Sequence, residues 1–359
     1  MTPRPLDGIQ VVDLSQFIAG PLCAQLLADF GASIIKVEPP VGDPSRRLPG
    51  TRQGSIYFRA FNTSKRSVTL DLRSVAGRNR LEEYLSSSQA CVTNFTPRTL
   101  RQLRLDPATL HELFPGLTVT TITGYGLDDD RVSLDPIAQS ESGFAHLNGG
   151  ANGRPRIAKS YLIDQLAGFY AAFATVMALV EQPPSSGLTI DVSMRDVMLA
   201  FMGPELIRST ELGVAFSPGG DADSTTAPSN LYSCADGYCY LYGGLDHHYA
   251  ALRSVIPLPD WTLDIRLERA ADLDSMIEDW TGALPVSEVV QRISQAGVPI
   301  GPVRTILDAL AEPTSRPPIV TEGDSGAVPN FPVLFNGTRV ERSPAPPLPD
   351  NGPSHQEKA

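Results

Sequence analysis

The stretch Gln10-Val-Val-Asp-Leu-Ser-Gln-Phe-Ile-Ala-Gly-Pro-Leu-Cys-Ala-Gln-Leu-Leu-Ala-Asp-Phe-Gly-Ala-Ser-Ile-Ile-Lys-Val-Glu38 reads as one βαβ unit. Gln10 to Leu14 is a short branched run suited to a strand. Pro21 fits the first turn of a helix, where its missing N–H costs nothing. That helix, Leu22 to Phe30, stops at Gly31, a residue that takes the left-handed cap conformation easily. A second strand, Ile34 to Glu38, follows before Pro39, Pro40 and Gly42 break the chain.

Working outward, the alternation repeats. Ser67 to Leu72, Ala90 to Asn94 and Leu117 to Ile122 read as strands; Val75 to Tyr84 and Thr99 to Leu105 read as the helices between them. Strands alternating with helices predict a parallel sheet covered on both faces, a doubly wound α/β domain. The first turn carries no GxGxxG, so dinucleotide binding has little support. A helix is expected from Asp135-Pro136, a turn at Pro183 to Gly187, a strand from Leu188 to Val192, and helical pattern from Met194 to Thr210. Beyond the Gly/Ser/Asp-rich tract 213–228 the character changes. Leu231 to Tyr242 is a hairpin about Asp236-Gly237, with helices near 247–256, 268–282 and 285–296. The expected division is a large α/β domain over 1–194 and a smaller mixed α+β domain with linkers over 195–310. A proline-rich segment, 311–359, then returns to the large domain, with a strand near Pro332 to Phe335 and a mobile tail after about 353.

Composition narrows the function classes. The chain has 359 residues, 42% hydrophobic and 19% charged, with a formal net charge of −11, which argues against a general nucleic-acid binder. The start lacks the apolar run of a secretory signal. The four cysteines (23, 91, 234, 239) have no CxxC spacing, so zinc is not indicated, and buried free thiols in a reducing cytosol are expected. Cys234 and Cys239 flank the hairpin turn.

The residue of greatest chemical interest is Asp164. It lies between a branched approach (Tyr161, Leu162, Ile163) and a small-residue apolar helix of about 17 residues that ends near Glu181. Apolar residues on nearly every face imply burial all round, and Gln165 and Gly168 argue against a membrane span. Position leaves two readings of Asp164 open: a helix N-cap, or a carboxylate nucleophile that attacks an acyl donor. A helix start favours an anion in either role.

Several segments together resemble one family, the class III CoA-transferases of the CaiB/BaiF type, whose relatives include formyl-CoA and carnitine CoA-transferases and 2-methylacyl-CoA racemase. They are Leu6 to Leu14, Ala19-Gly-Pro21, Leu26 to Ala32, Ile35 to Pro40, Gly42 to Arg46, Asn62 with Lys65 to Leu72, Asn94-Phe95, Ile122 to Gly126, Ile163 to Gly168, and Gly297 to Val303. The resemblance implies an interlocked homodimer, no tightly bound cofactor, acyl-CoA and a carboxylic acid as substrates, and a catalytic aspartate at Asp164. It implies transfer through an aspartyl anhydride and an aspartyl-CoA thioester. Asp135 falls where transferases place an acidic residue near the site; capping the Pro136 helix is its other reading. CoA contacts by position fall on Phe17, Ile18 and Ala19, on Leu70, Asp71, Leu72 and Arg73, and on Asn94, Phe95 and Thr96.

The chain also departs from the pattern. Pro39 and Gln102 stand where arginines are common, with Arg101 and Arg104 flanking the latter as substitutes, and Pro349 to Gly352 replaces a Gly-Glu-His-Thr. The racemase branch carries a His just before the acidic residue; Leu134 stands there and cannot shuttle a proton. A racemase and a non-catalytic or carrier-thioester-specific homologue are the alternatives to a transferase. Gly243-Gly244 and Gly219-Gly220 are candidates for close approach to an oxyanion.

Overall fold

A computed structural model describes residues 4–150, 152–180, 187–215, 218–321 and 326–349. The expected turn at 183–187, the 349–352 departure and the tail after 353 lie wholly or mostly outside them. The chain divides into two compact units, one of residues 1–144, 157–214 and 316–359, the other of 145–156 and 215–315.

The first unit is built on six parallel strands: β1 (Gln10–Asp13), β2 (Ser33–Glu38), β3 (Lys65–Thr69), β4 (Ala90–Thr93), β5 (Thr118–Thr123) and β6 (Thr189–Ser193). Their order, 3-2-1-4-5-6, is that of a doubly wound sheet. In such a sheet, neighbouring connections leave β1 and β4 in opposite directions and open a crevice at their carboxyl ends. Helices cover the sheet, among them α1 (Ala19–Asp29), α2 (Ile56–Phe61), α3 (Val75–Ser86), α4 (Pro97–Leu103), α5 (Pro107–Leu113), α6 (Asp135–Glu141), α7 (Leu162–Val180), α8 (Met194–Phe201) and α9 (Gly203–Leu212). The expected helix over 194–210 is thus two, broken at Met202. Both belong to the first unit, where the second was expected, because α8 packs on α7 and α6.

The core explains the composition of α7. Gly168 meets α1 so closely that a Cβ there would fall 2.7 Å from the Ala19 carbonyl oxygen. Ala167, Ala171 and Ala172 continue that buried seam. The opposite face corrects the expectation of burial all round: Phe169, Tyr170, Phe173, Met177 and Val180 are exposed. At 19 residues α7 is long and apolar enough to cross a membrane by length and composition alone. The C-terminal segment closes the unit. Phe331 meets Phe30 edge-on at 5.4 Å, and Arg342 donates to both oxygens of buried Asp29, at 2.9 and 2.5 Å.

The second unit holds a three-stranded antiparallel sheet of Ser229–Cys234, Gly237–Tyr242 and Ile300–Pro302. Four helices, Asp246–Arg253, Leu263–Glu268, Ala270–Thr281 and Val286–Gln295, share its core. Cys234 and Cys239 sit diagonally across the hairpin as free thiols, their sulfurs 3.7 Å apart.

Candidate active site

A cavity of about 560 Å³ opens where the doubly wound sheet predicts a ligand site, at the carboxyl ends of β1, β4 and β5. Its wall is made by the turns that leave these strands, and each turn is held from beneath.

The turn after β1 rests on buried charge. Asp13 is fully buried and accepts from Lys65 Nζ at 2.8 Å and Ser15 N at 2.9 Å. Lys36 Nζ pairs with Asp43 at 3.0 Å and donates to the Ser15 carbonyl at 2.9 Å. Burial alone would push the Asp13 carboxyl up, but Lys36 and Lys65 outweigh it and hold it below its ordinary value. Burial wins at Lys65, whose ammonium is pulled down to about 8 despite Asp13. Over this network Phe17 takes a positive φ of 63°, an unfavourable backbone region for a non-glycine residue. Asn94, at the end of β4, clamps the same turn: it accepts from Gln16 N at 2.8 Å and donates to Gln16 O at 2.7 Å.

Facing this turn is the start of α7. Ser160 and Tyr161 are consecutive left-handed residues, φ 67° and 57°, so the helix begins at Leu162 and Asp164 lies inside its first turn. Asp164 is therefore not the N-cap. The missing partner comes from Asp135, whose Oδ2 accepts from Ile163 N at 2.8 Å and Asp164 N at 3.4 Å. Asp135 is the first residue of α6 rather than its cap, and its Oδ1 accepts from Gln139 Nε2 at 2.6 Å. Asp164 is half-buried, and burial, then the charge of Asp135, pushes its carboxyl up to about 7. A cavity carboxyl displaced this far by burial and a like charge is a candidate functional group rather than a surface cap.

Phe17, Ile18, Ala19, Asn94, Phe95, Thr96, Asp135 and Asp164 all line this one cavity. The other positions fall elsewhere. Leu70, Asp71, Leu72 and Arg73 follow the edge strand β3 and are not part of the wall; Arg73 is exposed, its N–H donating to Asp71. Arg101 is paired with Asp130 at 2.7 Å. Arg104 ends α4 with φ 52°, its carbonyl taking Arg78 Nη2 at 2.9 Å. Gly219-Gly220 and Gly243-Gly244 belong to the second unit.

Sequence reasoning missed Arg131, Leu48 and Tyr161 as wall residues. Arg131, among the described residues the cavity's one cation, lies 3.8 Å over the Tyr125 ring and pairs with Asp129 at 2.8 Å. Gly124, where a Cβ would fall 2.4 Å from that of Ser133, lets the segment from 124 to 133 fold back on itself and bring Arg131 to the wall; no sequence pattern announced it. Tyr161 meets Tyr57 of α2 edge-on at 5.8 Å.

The profile of CoA-transferase family III matches residues 6–352. Succinyl-CoA–D-citramalate CoA-transferase of Chloroflexus aurantiacus is 31% identical over 87% of this chain and 81% of its own length. Acetyl-CoA:oxalate CoA-transferase of Acetobacter aceti is 29% identical over 97% of this chain and 94% of its own. A crystal structure of a CaiB/BaiF family protein from Brucella suis superposes with a TM-score of 0.87 at 27% identity, covering 97% of both chains.

Proposed function

The chain belongs to CoA-transferase family III, and from that premise we propose that Asp164 is the group acylated during transfer. The observation that carries this reading is a half-buried carboxyl, pushed up to about 7, at the back of a cavity beside a second carboxylate.

An Asp164 oxygen attacks the thioester carbonyl; the C–S bond breaks and CoA leaves as thiolate, giving a mixed anhydride. The thiolate attacks the Asp164 carbonyl carbon, forming an aspartyl-CoA thioester and releasing the first acid as carboxylate. An incoming carboxylate attacks that thioester, regenerating thiolate and a new anhydride. Thiolate attack on the new acyl carbonyl then forms the product thioester and restores Asp164. The start of α1, where no side chain caps the first turn, offers backbone N–H dipoles to the developing oxyanions. The carboxyl must be ionised to attack, so turnover rises with pH through about 7.

Acyl-CoA and a carboxylic acid are the substrates of this reading, with no tightly bound cofactor. The exposed apolar face of α7, continuous with a cleft of about 360 Å³ lined by Leu26, Phe30, Phe173 and Phe331, supports a homodimer. The buried free thiols of Cys23 and Cys91 support a reducing, cytosolic setting. The large-plus-small domain arrangement of the family is the expected frame.

The test is incubation with acetyl-CoA and succinyl-CoA, each with oxalate, D-citramalate or acetate, followed by peptide mass mapping. A hydroxylamine-sensitive adduct on Asp164, absent in Asp164→Ala, supports the reading. Deuterium wash-in at the α-carbon of a 2-methylacyl-CoA without CoA exchange would instead make the chain a racemase. Tight acyl-CoA binding with neither reaction would make it a silent homologue.

A further inference from the structure

Gln139 stands one turn beyond Asp135 on α6 and is completely buried. Its Nε2 donates to Asp135 Oδ1 at 2.6 Å and to Ala158 O at 3.1 Å, while its Oε1 accepts from Ala158 N at 2.8 Å. Only one orientation of the amide satisfies all three contacts, because a flip would set its oxygen against a carboxylate and a carbonyl. Beyond Asp135 the bonds continue to Ile163 N and Asp164 N. One buried amide therefore ties the segment before the left-handed pair Ser160-Tyr161 to the first turn of α7, with Asp135 as the link.

We propose that Gln139 is a positioning residue for Asp164: it holds the Asp135 carboxylate against the start of α7 and so sets the charge beside the reacting carboxyl. The inference rests on the reading of Asp164 as nucleophile. The groups that face Asp164 are few. Asp135 comes from α6, and Tyr161, backed by Tyr57 of α2, from the turn before α7. Arg131, which also lines the cavity, is taken up by Asp129 and Glu141. Without the Gln139 donor, Asp135 Oδ1 loses a 2.6 Å hydrogen bond and the carboxylate turns toward water. That takes negative charge away from beside Asp164.

Two variants of the full chain test this. In Gln139→Met, the acid limb of kcat/KM moves down by about one pH unit as the neighbouring charge is lost. Whichever donor and acceptor pair of the panel turns over serves as the assay. The same displacement appears in a carbon-13 NMR titration of labelled aspartate carboxyls, with Asp164 assigned from its loss in Asp164→Asn. In Gln139→Glu, a protonated carboxyl reproduces two of the contacts, O–H to Asp135 and C=O to the Ala158 N–H. That variant keeps native turnover on the acid side and loses it as the new carboxyl ionises.

An unmoved Asp164 titration, with activity lowered by one factor at every pH, overturns the proposal and leaves Gln139 a structural residue. If Gln139→Met does not fold, a Gln139→Glu profile of native shape over the whole range overturns it equally. A moved titration in a protein that never acylates Asp164 upholds the coupling while sinking the nucleophile reading.

Discussion

Replacing Asp164 with Asn removes an ionisation and leaves the shape, so its effect on stability isolates the electrostatic state of the site. The carboxyl stands at about 7 against an ordinary 3.8. At about 1.4 kcal/mol per pH unit, full ionisation costs the fold at most about 4 kcal/mol. Solvent reaches this half-buried group, and screening reduces that to about 2 kcal/mol. The sign follows from linkage: the folded chain holds this proton more tightly than the unfolded one. The stability it contributes is complete below pH about 4, and is lost as pH rises through about 7. Asp164→Asn keeps that stability. The difference in thermal midpoint between variant and native protein therefore widens from pH 4 to pH 8 by roughly 4–8 °C for a unit of this size, then stays flat. Scanning fluorimetry at half-unit steps reads it directly. A difference constant from pH 5 to pH 8 would refute the claim that burial and Asp135 raise this carboxyl.

Other perturbations address separate parts of the account. Asn94→Ala frees the Gln16-Phe17 turn and is expected to raise KM for acyl-CoA about tenfold with little change in kcat, by steady-state kinetics, each lost hydrogen bond contributing about 1 kcal/mol. Lys65→Met leaves Asp13 with a distant partner in a dry interior and is expected to cost about 3–5 kcal/mol in urea denaturation. Gly168→Val forces α1 from α7 at a 2.7 Å contact; overpacking of this kind costs about 1–3 kcal/mol, visible as a lowered thermal midpoint. Phe173→Glu places a charge on the exposed face of α7, and light scattering should report a monomer if that face carries the dimer.

How far the sequence could be read depended on the range of the interactions. The β1–α1–β2 unit was legible because strand period, Pro21 and Gly31 act within a few residues, and Gly31 does take a φ of 105°. The six residues of α2 gave no full apolar period to detect, although Ser55 Oγ accepts from Phe58 N at 3.3 Å as a cap. The surroundings of Asp164 were misread. Two left-handed residues move the helix start upstream, and the cap arrives from Asp135, 28 residues back, where no local pattern could announce it. Apolar letters on every face of α7 did not distinguish a core from a surface awaiting a partner, since both exclude charge. Arg73, Arg101 and Arg104 were placed by position along the chain; all three are exposed and none lines the cavity. The Arg342–Asp29 pair spans 313 residues and is beyond any reading by spacing.

Peptide mapping after a brief incubation with acyl-CoA bears most directly on what Asp164 does. One acyl or CoA adduct is expected on the peptide containing Asp164, discharged by hydroxylamine and missing from Asp164→Ala. Continued CoA transfer by Asp164→Ala at the native rate, or an adduct on another side chain, would contradict it.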